Sequence, residues 1–302
     1  MIWAREEPNS DESLAEINRK LVAESRKLNL TPDPEMGGLS PDQVSMLIYT
    51  PWQSEQFPIH MNDNLPLKSC EQSKLFRNCR KMLIAIHKAN GVKITSGGNF
   101  TRAFVAQMID SLEINQENLA FTREYKKTIN EDDVWDIHLT RVICQSAKLI
   151  RSYKGKFRIL KKTEKLLDEC CAGKLYKQLF IGLFTKFNLA YMDGRSPCYA
   201  IQKTLPYTLY RLSKLKQDKW KTIEELPHKI LLPAVLAEVE YECSGKLSQS
   251  TSEMLAYRAL KPLAESGLLE GTYVEQPLGF DKLKSVKLSP LWGEFLSFPD
   301  LP

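Results

Sequence analysis

No pair of cysteines in this chain has the C-x-x-C spacing of a zinc site or a redox motif, although there are seven of them. Cys70, Cys79, Cys144, Cys170, Cys171, Cys198 and Cys243 form an odd set, mostly inside apolar helical patterns. That usage fits buried thiols in a reducing compartment better than a disulfide framework. The adjacent pair Cys170-Cys171 reads as packed rather than redox-active. Histidine is scarce, and His60, His87, His138 and His228 each lack a partner at metal-ligand spacing. No metal and no other cofactor is therefore expected. Gly97-Gly98 precedes a helix-like segment, but neither a dinucleotide glycine pattern nor the Lys-Ser/Thr of a P-loop accompanies it. No carboxylate pair stands out as an acid/base couple. Long hydrophobic runs are missing too: Leu179 to Leu183 is the most apolar, and it is far too short to cross a bilayer. The opening MIWAREEPNSDES has neither a basic n-region nor an apolar stretch. These absences argue against an enzyme, a secreted protein and a membrane protein, and favour a cytoplasmic one.

What the chain does have is size and one local charge excess. Its 302 residues, 43% hydrophobic and 26% charged, can bury a sizeable core and suggest two domains. The net charge of +5 is mild. Between Lys148 and Lys165, however, eight basic residues meet one acid, Glu164, so the remainder of the chain is slightly acidic. Leu149-Ile150 and Phe157 to Leu160 flank the turn residues Lys154-Gly155-Lys156 there, which predicts a β-hairpin.

In chain order, Asn9 followed by Glu12 starts a helix in which Leu14, Ile17, Leu21 and Leu28 keep roughly heptad spacing. It is an arm that packs on the body, with pairing to a second copy, a homodimer, as the alternative. Residues 1–39 are thus arm and linker. Ser40-Pro41-Asp42-Gln43 begins a helix by capping box. The irregular stretch from Thr50 to Ser69, rich in aromatics and proline, either wraps the core or binds something, and its aromatics favour wrapping. From Cys70 the pattern runs helix, strand at Val92 to Thr95, helix from Phe100, helix after Asp133, hairpin; residues 40–165 form a first unit. Residues 166–195 are a helical connector with Phe180, Phe184, Phe187 and Tyr191 on one stripe, a buried spine. Residues 196–302 repeat the order more loosely, with a hairpin around Glu275 to Asp281 and with Pro262 inside a helix, where it must be tolerated by a kink.

RALKPLAESGLLE followed by KLSPLW, and KLIRSYKGKFRILKKTEKLL, resemble the closing elements of winged-helix (winged helix-turn-helix) domains. The resemblance implies a mainly α fold with small β-hairpins, two winged-helix units joined by the spine. LSPDQVSMLIYTPW, KITSGGNFTRAFV and LYKQLFIGLFTKFNLAYMDG resemble segments of a group of uncharacterised bacterial proteins, which implies no known activity.

In that frame the helix after Asp133 takes the recognition position. Arg141, Gln145 and Lys148 would then face a major groove, and Arg151, Lys154, Lys156 and Arg158, followed by Lys161 and Lys162, would meet phosphates. Asp132, Asp133 and Asp136 at the start of that helix speak against it. A second basic run, Lys203, Arg211, Lys214, Lys216, Lys219 and Lys221, reads as a solvated face. The leading expectation is a non-enzymatic protein that binds double-stranded DNA in a regulatory role. The alternative is a protein-docking module without nucleic-acid contact. Either way, the first requires Arg141 to Arg158 to lie exposed and unmatched by carboxylates.

Overall fold

Among the described residues two small three-stranded sheets and one two-stranded sheet, all antiparallel, sit among the helices of a mainly helical chain. The computed structural model describes residues 14–244, 250–275, 281–299 and 301–302. The helix start expected at Asn9 and Glu12 and most of the second hairpin's turn lie outside the described residues.

Helix α1 (Leu14–Leu30) touches the body through α2 (Pro41–Tyr49) but leaves Leu14, Leu21, Val22 and Leu28 exposed. The capping box that starts α2 is the expected one. The Ser40 hydroxyl accepts from Gln43 N at 3.3 Å, and Ser40 N donates to Gln43 Oε1 at 2.9 Å. The stretch after α2 wraps the core: Phe57, Ile59, Met61 and Leu65 are buried, and Trp52 packs on the rings of Phe57, Phe180 and Phe184. Within it β1 (His60–Met61) pairs with the strand at 296–297 near the C-terminus, and α3 (Leu67–Cys70) follows.

Helix α4 (Lys74–Lys88), capped by the Ser73 side chain, buries Phe76, Cys79, Met82, Leu83 and Ile86. It ends at Asn90 and Gly91, both with positive φ, and β2 (Val92–Lys93) begins. Next come α5 (Arg102–Ser111) and α6 (Gln116–Tyr125), the latter capped by Asn115 and not foreseen from the sequence. Helix α7 (Trp135–Ser146) then leads into β3 (Ile150–Tyr153), β4 (Lys156–Ile159) and α8 (Lys161–Leu166). The strands lie in the order β2-β4-β3.

Helix α9 (Ala172–Thr185) is the buried spine. It packs on α7 and α3, and its Tyr176 hydroxyl donates to the Ser266 carbonyl at 2.6 Å, tying the two halves together. Tyr191, placed by periodicity on the same stripe, instead sits past the helix end and is 48% exposed. The rest comprises α10 (Tyr199–Lys203), α11 (Leu205–Ser213), β5 (Lys221–Thr222), α12 (Pro227–Ile230), α13 (Pro233–Cys243) and α14 (Thr251–Leu255). A π-helical turn at Ala256–Leu260 joins α14 to α15 (Lys261–Glu265), followed by β6 (Leu269–Val274), β7 (Lys282–Leu288), α16 (Pro290–Phe295) and β8 (Leu296–Ser297). The π turn is how the chain passes Pro262. Without an N–H there, the ordinary bond back to residue 258 is lost, and the helix widens just ahead of the ring. The second sheet has the order β5-β7-β6, the same as the first. One hydrophobic cluster runs from Leu39 to Leu296 through both halves.

Among the described residues no helix is long and apolar enough to cross a membrane, and no cluster of His, Cys, Asp or Glu is set to hold a metal ion. Five cysteines are buried as expected; Cys170 is exposed and Cys171 half-buried, so that pair is not packed inside.

Candidate nucleic-acid interface

Lys154 and Gly155 form a two-residue turn with φ of 49° and 70°, the type I′ geometry whose twist matches the flanking strands. The register fixes which side chains share a face. On the inner face Ile150, Phe157 and Val92 are buried, and the Phe157 ring meets Phe100 at 5.1 Å. The outer face carries two cross-strand rows. One is Lys93, Lys156 and Tyr153; the other is Arg158 and Arg151. Like charges directly opposite one another destabilise a sheet. Here Lys93 faces Lys156 and Arg151 faces Arg158, and among the described residues no carboxylate lies within ion-pair distance of any of them. Arg151 and Lys154 lean instead on the Tyr153 ring, at 5.1 and 5.5 Å from its centroid. Arg158 lies across Gly91, and its buried Nε finds no acceptor among the described residues. Lys148, Lys161 and Lys162 are exposed nearby in the chain, before and after the hairpin.

Gly91 is required twice over. Its φ is 90°, and a Cβ there would stand 2.8 Å from Arg158 Cγ and 3.0 Å from the Phe157 carbonyl. Gly91→Ala is expected to cost about 1–3 kcal/mol in denaturant unfolding, since the strained backbone conformation and the overlap act together. A variant as stable as the parent would contradict this placement of Arg158.

In the second sheet two lysines are matched by carboxylates. Lys282 pairs with Glu253 at 2.6 Å, and Lys287 pairs with Glu270 at 2.9 Å while covering the Trp220 ring. In the second basic run, Lys203, Arg211 and Lys214 lie over Tyr49, Tyr207 and Tyr210.

The expected groove-reading helix is corrected by its surroundings. Helix α7 is enclosed by α4, α5 and α9, and Arg141 is only 8% exposed. Its Nε donates to Glu131 Oε1 at 2.5 Å, its Nη1 donates to Gln145 Oε1, and its guanidinium lies 5.2 Å from the Phe157 ring centroid. Arg141 is therefore committed to the interior and does not reach a base edge, while Gln145, half-buried, has its side-chain oxygen taken up by Arg141. Lys148 is exposed, but it stands in the left-handed turn after α7 with φ of 54°, not on the helix. The three aspartates do stand at the start of α7, and Asp132 is largely exposed there, but all three have partners. Asp133 accepts from Asn130 N and pairs with Lys126, and Asp136 accepts from Asn115 N and Lys74, each at 3.1 Å.

A buried polar centre, unseen in the sequence, lies beneath the sheet. Glu131 is fully buried and accepts from Phe100 N at 2.6 Å, from Arg141, and from His138 Nδ1 at 2.9 Å. The other ring nitrogen of His138 is 2.6 Å from the Tyr191 hydroxyl. Burial by itself raises the Glu131 pKa, but hydrogen bonds from His138, Phe100 N and Arg141 outweigh it and hold the carboxyl below its ordinary value. Asn99 Nδ2 donates to Asp132 Oδ2 at 2.6 Å, so the loop leaving β2 is pinned to the same turn. His138, read from the sequence as lacking a partner, is the link between Glu131 and Tyr191. The centre fixes the loop after β2 and hence the row in which Lys93 sits. The other three histidines, His60, His87 and His228, are exposed.

Residues 71–172 match the model of the Y4jL N-terminal domain, an uncharacterised family. The matched stretch includes α4, the whole first sheet and Glu131, His138 and Arg141 of the buried centre. No curated protein and no solved structure matches the chain.

Proposed function

We propose that the protein binds nucleic acid, double-stranded DNA in the first instance, through its phosphates, with the outer face of the β2-β4-β3 sheet as the contact surface. The observation that carries this is the pair of like-charged cross-strand rows left without carboxylates, an arrangement that costs the sheet stability and suits a polyanion. The element order supports a winged-helix reading of the frame. A helix, a strand, further helices and a hairpin follow in order, the first strand pairs with the last, and the second half repeats the arrangement. With α7 buried, contact is made by the wing and its sheet, namely Lys93, Arg151, Lys154, Lys156 and Arg158, and it is independent of base sequence. A protein-docking role is the second reading. It is favoured by the exposed leucines of α1, a face on which a second copy would make a homodimer.

The test is fluorescence anisotropy with a short generic duplex across a salt series. For the five contacts named, the logarithm of the affinity should fall with the logarithm of salt at a slope of about −4.5. No binding, or a flat salt response, leaves the docking role as the better account.

A further inference from the structure

A cleft of about 510 Å³ opens where the end of α2 and the following loop meet the end of α9 and the helix α10. Its floor is apolar and fixed: Phe184 and Phe187 are buried, and the Gln202 amide donates to their carbonyls at 3.0 and 2.7 Å. Gln202 therefore shapes the cleft and has little left to offer a ligand. The rim is different. Tyr49 and Tyr199 are 68% and 60% exposed, which is costly for large rings unless something covers them. Lys186 and Lys203 also line it, and among the described residues the lining holds no aspartate or glutamate. The Lys203 ammonium rests 5.1 Å from the Tyr49 ring centroid, held by that ring rather than by a carboxylate.

We propose that this cleft binds a small planar aromatic anion. The volume lies within the range of about 300–1,000 Å³ usual for small-molecule sites. The tyrosine rims offer stacking surface for a ring, and among the described residues the two ammonium groups are the only formal charges of the lining, both positive. The anionic group is a carboxylate or a phosphate, and both are accepted by a lysine as a point charge. The ligand touches α2 and its loop from one half and α10 from the other, so it bridges the two halves beside the spine.

Calorimetric titration of the full chain tests this with three probes: anthranilate, its neutral amide, and adenosine monophosphate. Anthranilate or the nucleotide should bind with a dissociation constant of about 1 mM or tighter, and the amide at least about tenfold more weakly than anthranilate. Lys203→Gln should weaken the anion that binds by about tenfold with an unchanged melting temperature, and Tyr49→Leu should do the same. Lys156→Glu, on a sheet face that does not line the cleft, should leave it unchanged, which separates this site from the proposed phosphate-binding face. Equal binding of anthranilate and its amide, insensitivity to Lys203→Gln, loss through Lys156→Glu, or no heat from either anion at millimolar concentration would each overturn the proposal.

Discussion

Replacing Lys93 and Arg151 together by glutamate is expected to lower duplex affinity by about 100-fold, each reversal being worth about 1.4 kcal/mol of binding. The same double variant should be no less stable than the parent. Each new glutamate faces a retained cation, Lys156 in one row and Arg158 in the other, so two repulsive pairs become attractive ones. Opposite charges across a ladder contribute about 0.2–1 kcal/mol each. Loss of the Arg151 contact with the Tyr153 ring offsets part of that. The expected net is a melting temperature unchanged or slightly raised, in a protein that no longer holds DNA. A loss of binding accompanied by a falling melting temperature would mean that the substitutions had damaged the fold, and the charge argument would lose its support.

Glu131→Ala should be the most destabilising single change considered for this chain, at about 3–5 kcal/mol, because it leaves a buried guanidinium without its carboxylate. The Phe100 N–H and His138 Nδ1 lose their acceptor in the same step. Glu131→Gln keeps an acceptor for Phe100 N and fills the same space, so its effect is smaller and isolates the charge. The pH dependence has a definite sign. The folded pKa of Glu131 is depressed below its ordinary value of 4.5, so its contribution to stability is complete above that pH. It is lost as pH falls below 4.5 through the folded value. Urea unfolding of the parent and of Glu131→Gln should therefore converge as the pH is lowered through the acid range. A gap between them that stayed constant or widened on acidification would contradict the ion-pair account.

The parts of this fold that local chemistry dictates were readable from the residues. Ser40 and Gln43 make the capping box their types and spacing require, Lys154-Gly155 makes the hairpin turn, and Pro262 disturbs its helix. What failed did so where the deciding partner comes from elsewhere in the chain. Arg141 lies on a face that also carries Gln145, and in sequence that face is indistinguishable from a solvated one. Only the return of Glu131 from the preceding turn, with α4 and α9 closing on either side, makes it interior. Periodicity carried Tyr191 onto the aromatic stripe because it has no means of seeing that the helix stops at Thr185. The candidate site was half legible. Its basic residues were visible as a cluster, but their meaning depends on register. Lys93 stands more than sixty positions before Lys156, and only pairing of β2 with β4 sets them face to face. The second hairpin looked like a weaker copy of the first. Two of its lysines are matched, Lys287 by Glu270 on the neighbouring strand and Lys282 by Glu253, a residue of α14 and not of the hairpin.

The most direct test is a lysine-acylation footprint read by mass spectrometry with and without saturating duplex. Lys93, Lys154 and Lys156 should lose most of their reactivity when DNA is bound, while Lys216 and Lys219, exposed in the second basic run, keep theirs. Protection confined to Lys216 and Lys219, or no protection of the sheet lysines, would contradict the claim that the unpaired cationic face of the first sheet is where the phosphates lie.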